Sequence, residues 1–214
     1  MRPVASPRPG GVRVKICGIT RLEDALFAAG AGAHYLGFIF ARSPRRVTPE
    51  QAGAITRACP PSVLKVGVFV NEPEESIRRT VAAAGLDMIQ LHGDEPPELC
   101  SRFELPVIKV LQTRGEEILE IIPRYETDFI LLEAYVPGLR GGTGETADWS
   151  LAARVGKEFP ARKFFLAGGL NPGNIASAVR AVGPFAVDVG SGVEKEPGVK
   201  DHARIASLME VLKI

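Results

Sequence analysis

Lys15 and Cys17 sit two residues apart in the apolar run Val14-Lys15-Ile16-Cys17, and Gly18-Ile19-Thr20 follows at once. In a strand, alternate side chains leave on opposite faces, so Lys15 and Cys17 share one face and Ile16 takes the other. A thiolate is a base and a nucleophile, and a neighbouring ammonium favours it. Gly18 lets the backbone turn sharply after the thiol. Thr20 with Glu23 reads as a capping box that opens a helix. A thiol at the C-terminal end of a strand, just before a helix, stands where parallel α/β proteins keep their reactive groups.

Other polar residues end apolar runs in the same way. Arg45, in Ser43-Pro44-Arg45-Arg46, offers a guanidinium that can grip a carboxylate with two parallel hydrogen bonds. Gln90 and His92 share a face after the run Met88–Leu91, where His92 can orient a substrate or carry a proton. Glu133 closes Leu131-Leu132-Glu133; between low-dielectric walls it is a candidate general acid. Asp188 ends its own run and can hold a substrate amine or hydroxyl. Two glycine clusters come late, Gly168-Gly169-Leu170-Asn171-Pro172 and Gly190-Ser191-Gly192. Without a Cβ, the backbone N–H groups there lie open to an anion. Gly168, Gly169, Ser191 and Gly192 are therefore phosphate-binding candidates. Gly142, in Gly141-Gly142-Thr143-Gly144, is a further one.

The elements that must position these residues follow one pattern. Strands are expected at Val12–Cys17, Tyr35–Phe40, Leu64–Val70, Met88–Leu91, Val107–Val110, Phe129–Leu132, Lys163–Ala167 and Ala186–Val189. Between and after them fall helices at Leu22–Ala31, Pro49–Ala58, Pro73–Ala84, Pro96–Phe103, Glu116–Ile122, Trp149–Glu158, Asn174–Ala181 and Ala203–Lys213. Proline starts suit the first helical turn, and Gly85 suits a C-cap. About eight βα units of about 25 residues predict a single-domain (β/α)8 TIM barrel over 12–214. A doubly wound open sheet competes, but the first strand lacks the G-x-G-x-x-G turn of that fold. Residues 1–11 read as a flexible N-terminal extension. The stretch 134–148 reads as a mobile loop over the barrel mouth.

Composition narrows the function. Of 214 residues 45% are hydrophobic, enough for a full core. A formal net charge of +1 gives no field that gathers nucleic acid or an anionic membrane. Met1–Gly11 has no apolar signal core, and no run approaches a membrane span of about 20 residues. Cys17, Cys59 and Cys100 have no metal-ligand spacing; Cys59 and Cys100 read as buried, reduced thiols of a cytoplasmic protein.

Taken together, Lys15-Ile16-Cys17-Gly18-Ile19-Thr20, Ser43-Pro44-Arg45, Val66-Gly67-Val68-Phe69, Gln90-Leu91-His92-Gly93, Gly141–Gly144 with Asp148-Trp149, Gly168–Pro172 and Asp188–Glu194 resemble the phosphoribosylanthranilate isomerases of tryptophan synthesis. The likeness runs from Val12 nearly to the C-terminus. It implies a (β/α)8 barrel catalysing an Amadori rearrangement of a small phosphorylated aminosugar. Cys17 matches the family's base, Arg45 its anthranilate-carboxylate ligand, Gly168-Gly169 and Ser191-Gly192 its phosphate loops, and Asp188 its substrate-contacting aspartate. Lys15, Gln90 and His92 fall beside these as substrate contacts. No metal, redox or organic cofactor is implied, and a monomer and a homodimer are both consistent. One departure stands out. The family's acid after the sixth strand is usually Asp, whereas this chain has Glu133. The aminoaldose isomerases of histidine synthesis favour Asp where this chain has Cys17. A non-catalytic phosphoribosyl-ligand binder with a changed acid is the alternative from another class.

Overall fold

The computed structural model describes residues 11–113, 115–134 and 149–212. The predicted extension therefore lies outside the described residues up to position 10, as does the predicted loop from 135 to 148.

Eight parallel strands close into a barrel. They are β1 (Arg13–Cys17), β2 (Tyr35–Ile39), β3 (Leu64–Phe69), β4 (Met88–Leu91), β5 (Val107–Thr113), β6 (Phe129–Ala134), β7 (Lys163–Leu166) and β8 (Ala186–Val189). Closure comes from β1 against β8, with Lys15 paired to Asp188 and Val14 to Val187. Helices α1 (Leu22–Gly30), α2 (Pro49–Ala58), α3 (Glu74–Ala84), α4 (Pro97–Cys100), α5 (Ile118–Ile121), α6 (Trp149–Glu158), α7 (Ile175–Val182) and α8 (His202–Val211) follow the strands in turn.

Alternation along the strands sorts side chains into two cores. One face of each strand packs against the helices, with Ile16, Leu36, Ile89, Leu132 and Val187 all fully or almost fully buried. The other face fills the barrel with Tyr35, Val66, Met88, Ile108, Leu131 and Phe165. Each such apolar side chain contributes about 1.5–3 kcal/mol on leaving water. Towards the C-terminal ends of the strands this inner face turns polar, with Cys17, Gln90, Glu133 and Asp188. Burying those groups is costly unless they are paired, so the barrel floor is the source of stability and its mouth the place of chemistry.

Local structure departs from the sequence reading in three places. Arg21, not Thr20, is the N-cap of α1, and no side chain caps that helix; the Thr20 hydroxyl donates instead to the carbonyl of Gly198, at 2.5 Å. Helices α4 and α5 are single turns. The first starts only after Pro96, and the second gives way to a 3-10 turn at Ile122–Arg124, where Pro123 has no N–H to continue an α-helix. A two-stranded hairpin, β9 (Glu194–Glu196) and β10 (Val199–Lys200), stands between β8 and α8. Other helices follow expectation. Thr48 and Gln51 form a reciprocal capping box at α2, and Gly85 closes α3 in the left-handed conformation.

Candidate active site

A cavity of about 290 Å³ opens at the C-terminal mouth of the barrel. Its lining includes Cys17, Arg45, Gln90, His92, Glu133 and Asp188, with Gly168, Gly169 and Ser191 on the same wall. Six of the eight strand ends, those of β1, β2, β4, β6, β7 and β8, thus deliver expected groups to one space. Lys15 lies beneath it, fully buried.

The floor is an ion pair. Lys15 Nζ donates to Asp188 Oδ2 at 2.8 Å. Burial opposes the charge on Lys15, but Asp188 and Cys17 outweigh it and hold its pKa above the ordinary value. The second oxygen of Asp188, Oδ1, is buried without a partner among the described residues. It is an acceptor held ready at the cavity floor. Gly37 makes room for the thiol, since a Cβ there would lie 2.7 Å from Cys17 Sγ and 3.1 Å from Lys15 Nζ. Lys15 favours the thiolate, as expected. Burial is the larger effect, however, and with Asp188 nearby it pushes the Cys17 thiol up.

Arg45 is anchored from the far end of the chain. Its Nε meets Glu194 Oε1 at 2.9 Å and Oε2 at 3.0 Å, and Nη2 meets Oε2 at 2.7 Å. Glu194 Oε1 also accepts from Lys200 Nζ at 2.8 Å. Burial would raise the Glu194 carboxyl, but these two cations hold it below its usual range. Lys200 Nζ donates further to the carbonyls of Cys17 and Gly190, the last turns of β1 and β8.

Across the cavity, Gln90 Nε2 lies 3.2 Å from His92 Nδ1, and His92 Nε2 lies 2.9 Å from Glu133 Oε2. The turn carrying His92 is fixed by a buried carboxylate. Glu95 takes the N–H groups of Gly93 and Asn71 and pairs with Lys109 Nζ at 2.6 Å.

The two glycine loops meet at one rim. Gly168 and Gly169 both have positive φ, 98° and 62°. Such values cost little only for glycine. The carbonyl of Gly169 is held by the amides of Asn171 and Asn174. A Cβ on Gly192 would stand 1.9 Å from the Leu170 carbonyl oxygen, so the loops after β7 and β8 touch only because glycine is there. Among the described residues no acceptor takes the N–H groups of Gly169, Ser191 and Gly192. Gly192 itself faces a neighbouring hollow beside Asn171 and Arg204. Gly142 lies outside the described residues.

Sequence reasoning overlooked the grip of Glu194 on Arg45 and the part of Lys200. Glu194 stood inside a quoted motif, but nothing in its spacing pointed to a partner 149 positions earlier. Strand β10 has only two residues and gives no periodic signal. Cys59 and Cys100 are free and buried, as expected, and neither lines the cavity. No group of metal-binding side chains occurs among the described residues.

Comparison with known proteins points one way. Residues 14–211 match the family model of N-(5'-phosphoribosyl)anthranilate isomerase. The chain is 50% identical over 203 residues to the protein of that name from Geobacter metallireducens, covering 94% of this chain and 99% of the relative. It is 48% identical over 203 residues to that of Pelobacter propionicus, covering 94% and 96%. The solved phosphoribosyl anthranilate isomerase of Thermotoga maritima superposes with a TM-score of 0.87 at 46% identity, covering 94% of this chain and 98% of the other. Another solved isomerase, in complex with reduced 1-(o-carboxyphenylamino)-1-deoxyribulose 5-phosphate, superposes with a TM-score of 0.84 at 44% identity, with the same coverage of 94% and 98%.

Proposed function

Since the chain belongs to the N-(5'-phosphoribosyl)anthranilate isomerase family, we propose how the residues around its cavity divide the work of that reaction. The enzyme is an isomerase of tryptophan biosynthesis. It converts N-(5'-phosphoribosyl)anthranilate into 1-(o-carboxyphenylamino)-1-deoxyribulose 5-phosphate, an oxidation at one sugar carbon balanced by a reduction at its neighbour.

Glu133 is the acid and Cys17 the base. Glu133 protonates the furanose ring oxygen, the ring opens, and the substrate becomes a Schiff base. The iminium acidifies the adjacent C2′ proton. Cys17, as thiolate, removes it, and the enolamine tautomerises to the ketone. The positive charge on the substrate nitrogen adds to the attraction of Lys15 for the thiolate. Arg45 receives the anthranilate carboxylate. Asp188, braced by Lys15, accepts a hydrogen bond from the sugar or the anilino nitrogen through its unpartnered Oδ1. Gln90 and His92 contact the sugar, and Gly168, Gly169, Ser191 and Gly192 hold the phosphate. Binding energy from the phosphate, far from the reacting carbon, positions that carbon.

A single observation carries this assignment, the shared cavity in which Cys17 and Glu133 stand with a glycine-lined rim. The enzyme acts in the cytoplasm on a free small molecule, as a monomer or a homodimer. Growth of a tryptophan auxotroph lacking this isomerase, restored by the intact chain and not by Cys17→Ala, is the expected result. In vitro, anthranilate fluorescence should change with time as substrate is consumed. A signal that only saturates with added protein would overturn the catalytic roles.

A further inference from the structure

Gln90, His92 and Glu133 form a chain in which the orientation of one amide sets how many protons the other two groups hold. The links measure 3.2 Å and 2.9 Å. A side-chain amide can turn through 180° and exchange its NH2 and C=O with almost no change of shape. With the NH2 towards Nδ1, that nitrogen accepts, Nε2 carries the hydrogen, and Glu133 must accept it as a carboxylate. With the carbonyl towards Nδ1, that nitrogen carries a hydrogen, and a second proton lies between Nε2 and Glu133. The first arrangement holds one proton across ring and carboxyl, the second holds two. Only the second leaves a proton to give.

Resting on the reading of Glu133 as the acid, we propose that Gln90 is a positioning residue that acts through His92. Its carbonyl faces Nδ1 in the substrate-bound enzyme and so loads the His92–Glu133 pair with the proton the reaction needs. Position and burial suit this role. Gln90 is on the inner face of β4, 1% exposed, and held between Val68 of β3 and Ile108 of β5. The end of its amide away from His92 has no partner among the described residues. When the carbonyl turns to Nδ1, that end is the NH2, and an acceptor oxygen of the bound aminosugar completes it. Occupying the cavity and arming the acid then become one event.

Among the described residues the charged and titratable groups around the pair are Cys17, Arg42, Arg45 and Asp188 across the cavity, Lys15 beneath it, and Asp94, Lys109 and Glu117 on the far side of His92, with Glu95 paired to Lys109. A substitution at Gln90 leaves all of them in place, so a change in the proton balance of the pair reports on the amide.

Nitrogen-15 spectra of the histidine side chains in the full chain test the idea. There are three histidines. His34 accepts the Val14 N–H at Nδ1, 3.2 Å away, and is an internal standard for the Nε2–H tautomer. His92 is assigned by the signal lost in His92→Asn. With reduced 1-(o-carboxyphenylamino)-1-deoxyribulose 5-phosphate bound, His92 should be protonated at Nδ1, and Gln90→Leu should shift it towards Nε2–H. In kinetics, Gln90→Leu should move the kcat–pH profile towards acid and lower its maximum, about tenfold for each unit of lost proton affinity. Gln90→Glu, whose carboxylate can only accept from Nδ1, should restore most of that turnover. An unprotonated Nδ1 in the ligand complex, or a parental profile in Gln90→Leu, overturns the proposal. Should Gln90→Leu fail to fold, the spectrum of the unaltered chain decides. Full turnover in Glu133→Gln would instead remove the acid assignment, an outcome separate from failure at Gln90.

Discussion

Glu194 holds Arg45 along one edge only, through Nε and Nη2, and shares the same carboxylate with the buried ammonium of Lys200. The guanidinium is thereby aimed rather than used up, because no acceptor for Nη1 occurs among the described residues. Arg45→Ala should raise KM about tenfold to a hundredfold, the worth of a charge-assisted hydrogen bond, with a smaller effect on kcat. Steady-state kinetics at fixed pH measure the split, and an unchanged KM would remove Arg45 from carboxylate binding.

Glu194→Gln should destabilise the protein by about 3–5 kcal/mol, since it strips the counter-charge from a buried cation. Urea unfolding reads that loss directly, and a change under 1 kcal/mol would show that the ion cluster relaxes into water.

The same carboxylate gives the fold a pH signature. Its folded pKa lies below the ordinary 4.5. The stabilisation is therefore whole above that ordinary value and is lost as pH falls through the lower folded one. Unfolding free energy of the parent should drop over this acid window, and Glu194→Gln should show a shallower drop. Parallel slopes in the two proteins would assign acid unfolding to other groups.

Cys17→Ala should keep its circular dichroism spectrum and lose turnover by about 10²–10⁴-fold, the usual weight of a general base. In the parent, alkylation of Cys17 by iodoacetamide should be slow at neutral pH and accelerate above the ordinary thiol range, because burial raises the group. Lys15→Met removes the nearest charge that favours the thiolate and should push that acceleration to still higher pH. Cys100, buried and held at about 11, should be slow at neutral pH as well.

Glu133→Gln should abolish turnover, whereas Glu133→Asp should retain it or improve it, because the acid group survives and only its stem shortens. Misplacement by 1 Å can cost about 10²-fold. A Glu133→Asp variant as dead as Glu133→Gln would mean that the link to His92 is built for the longer side chain.

Much of this arrangement was legible in the sequence, for a physical reason. Polar residues that end a buried apolar run point to the mouth, and Cys17, Gln90, Glu133 and Asp188 revealed their places in this way, whereas Lys15, polar on the same face as Cys17, is buried beneath it. Late glycine clusters revealed the loops that meet at the rim by what they lack. Contacts between distant segments left no such trace. Thr20 looked like a helix cap because its nearest neighbours suited one, yet its hydroxyl is taken by Gly198. Lys15 beside Cys17 is visible in the sequence, whereas the burial that raises the thiol is not.

The lysine that grips the carbonyls of Cys17 and Gly190 is separated from Cys17 by 183 positions. Strand β1 is made early and its end pairs with β2 through Cys17 and Gly37, but the Cys17 carbonyl gains the Lys200 ammonium only when the β9–β10 hairpin has been made. A nascent chain stalled before Lys200 has every strand of its barrel but lacks this tie across the seam between β1 and β8.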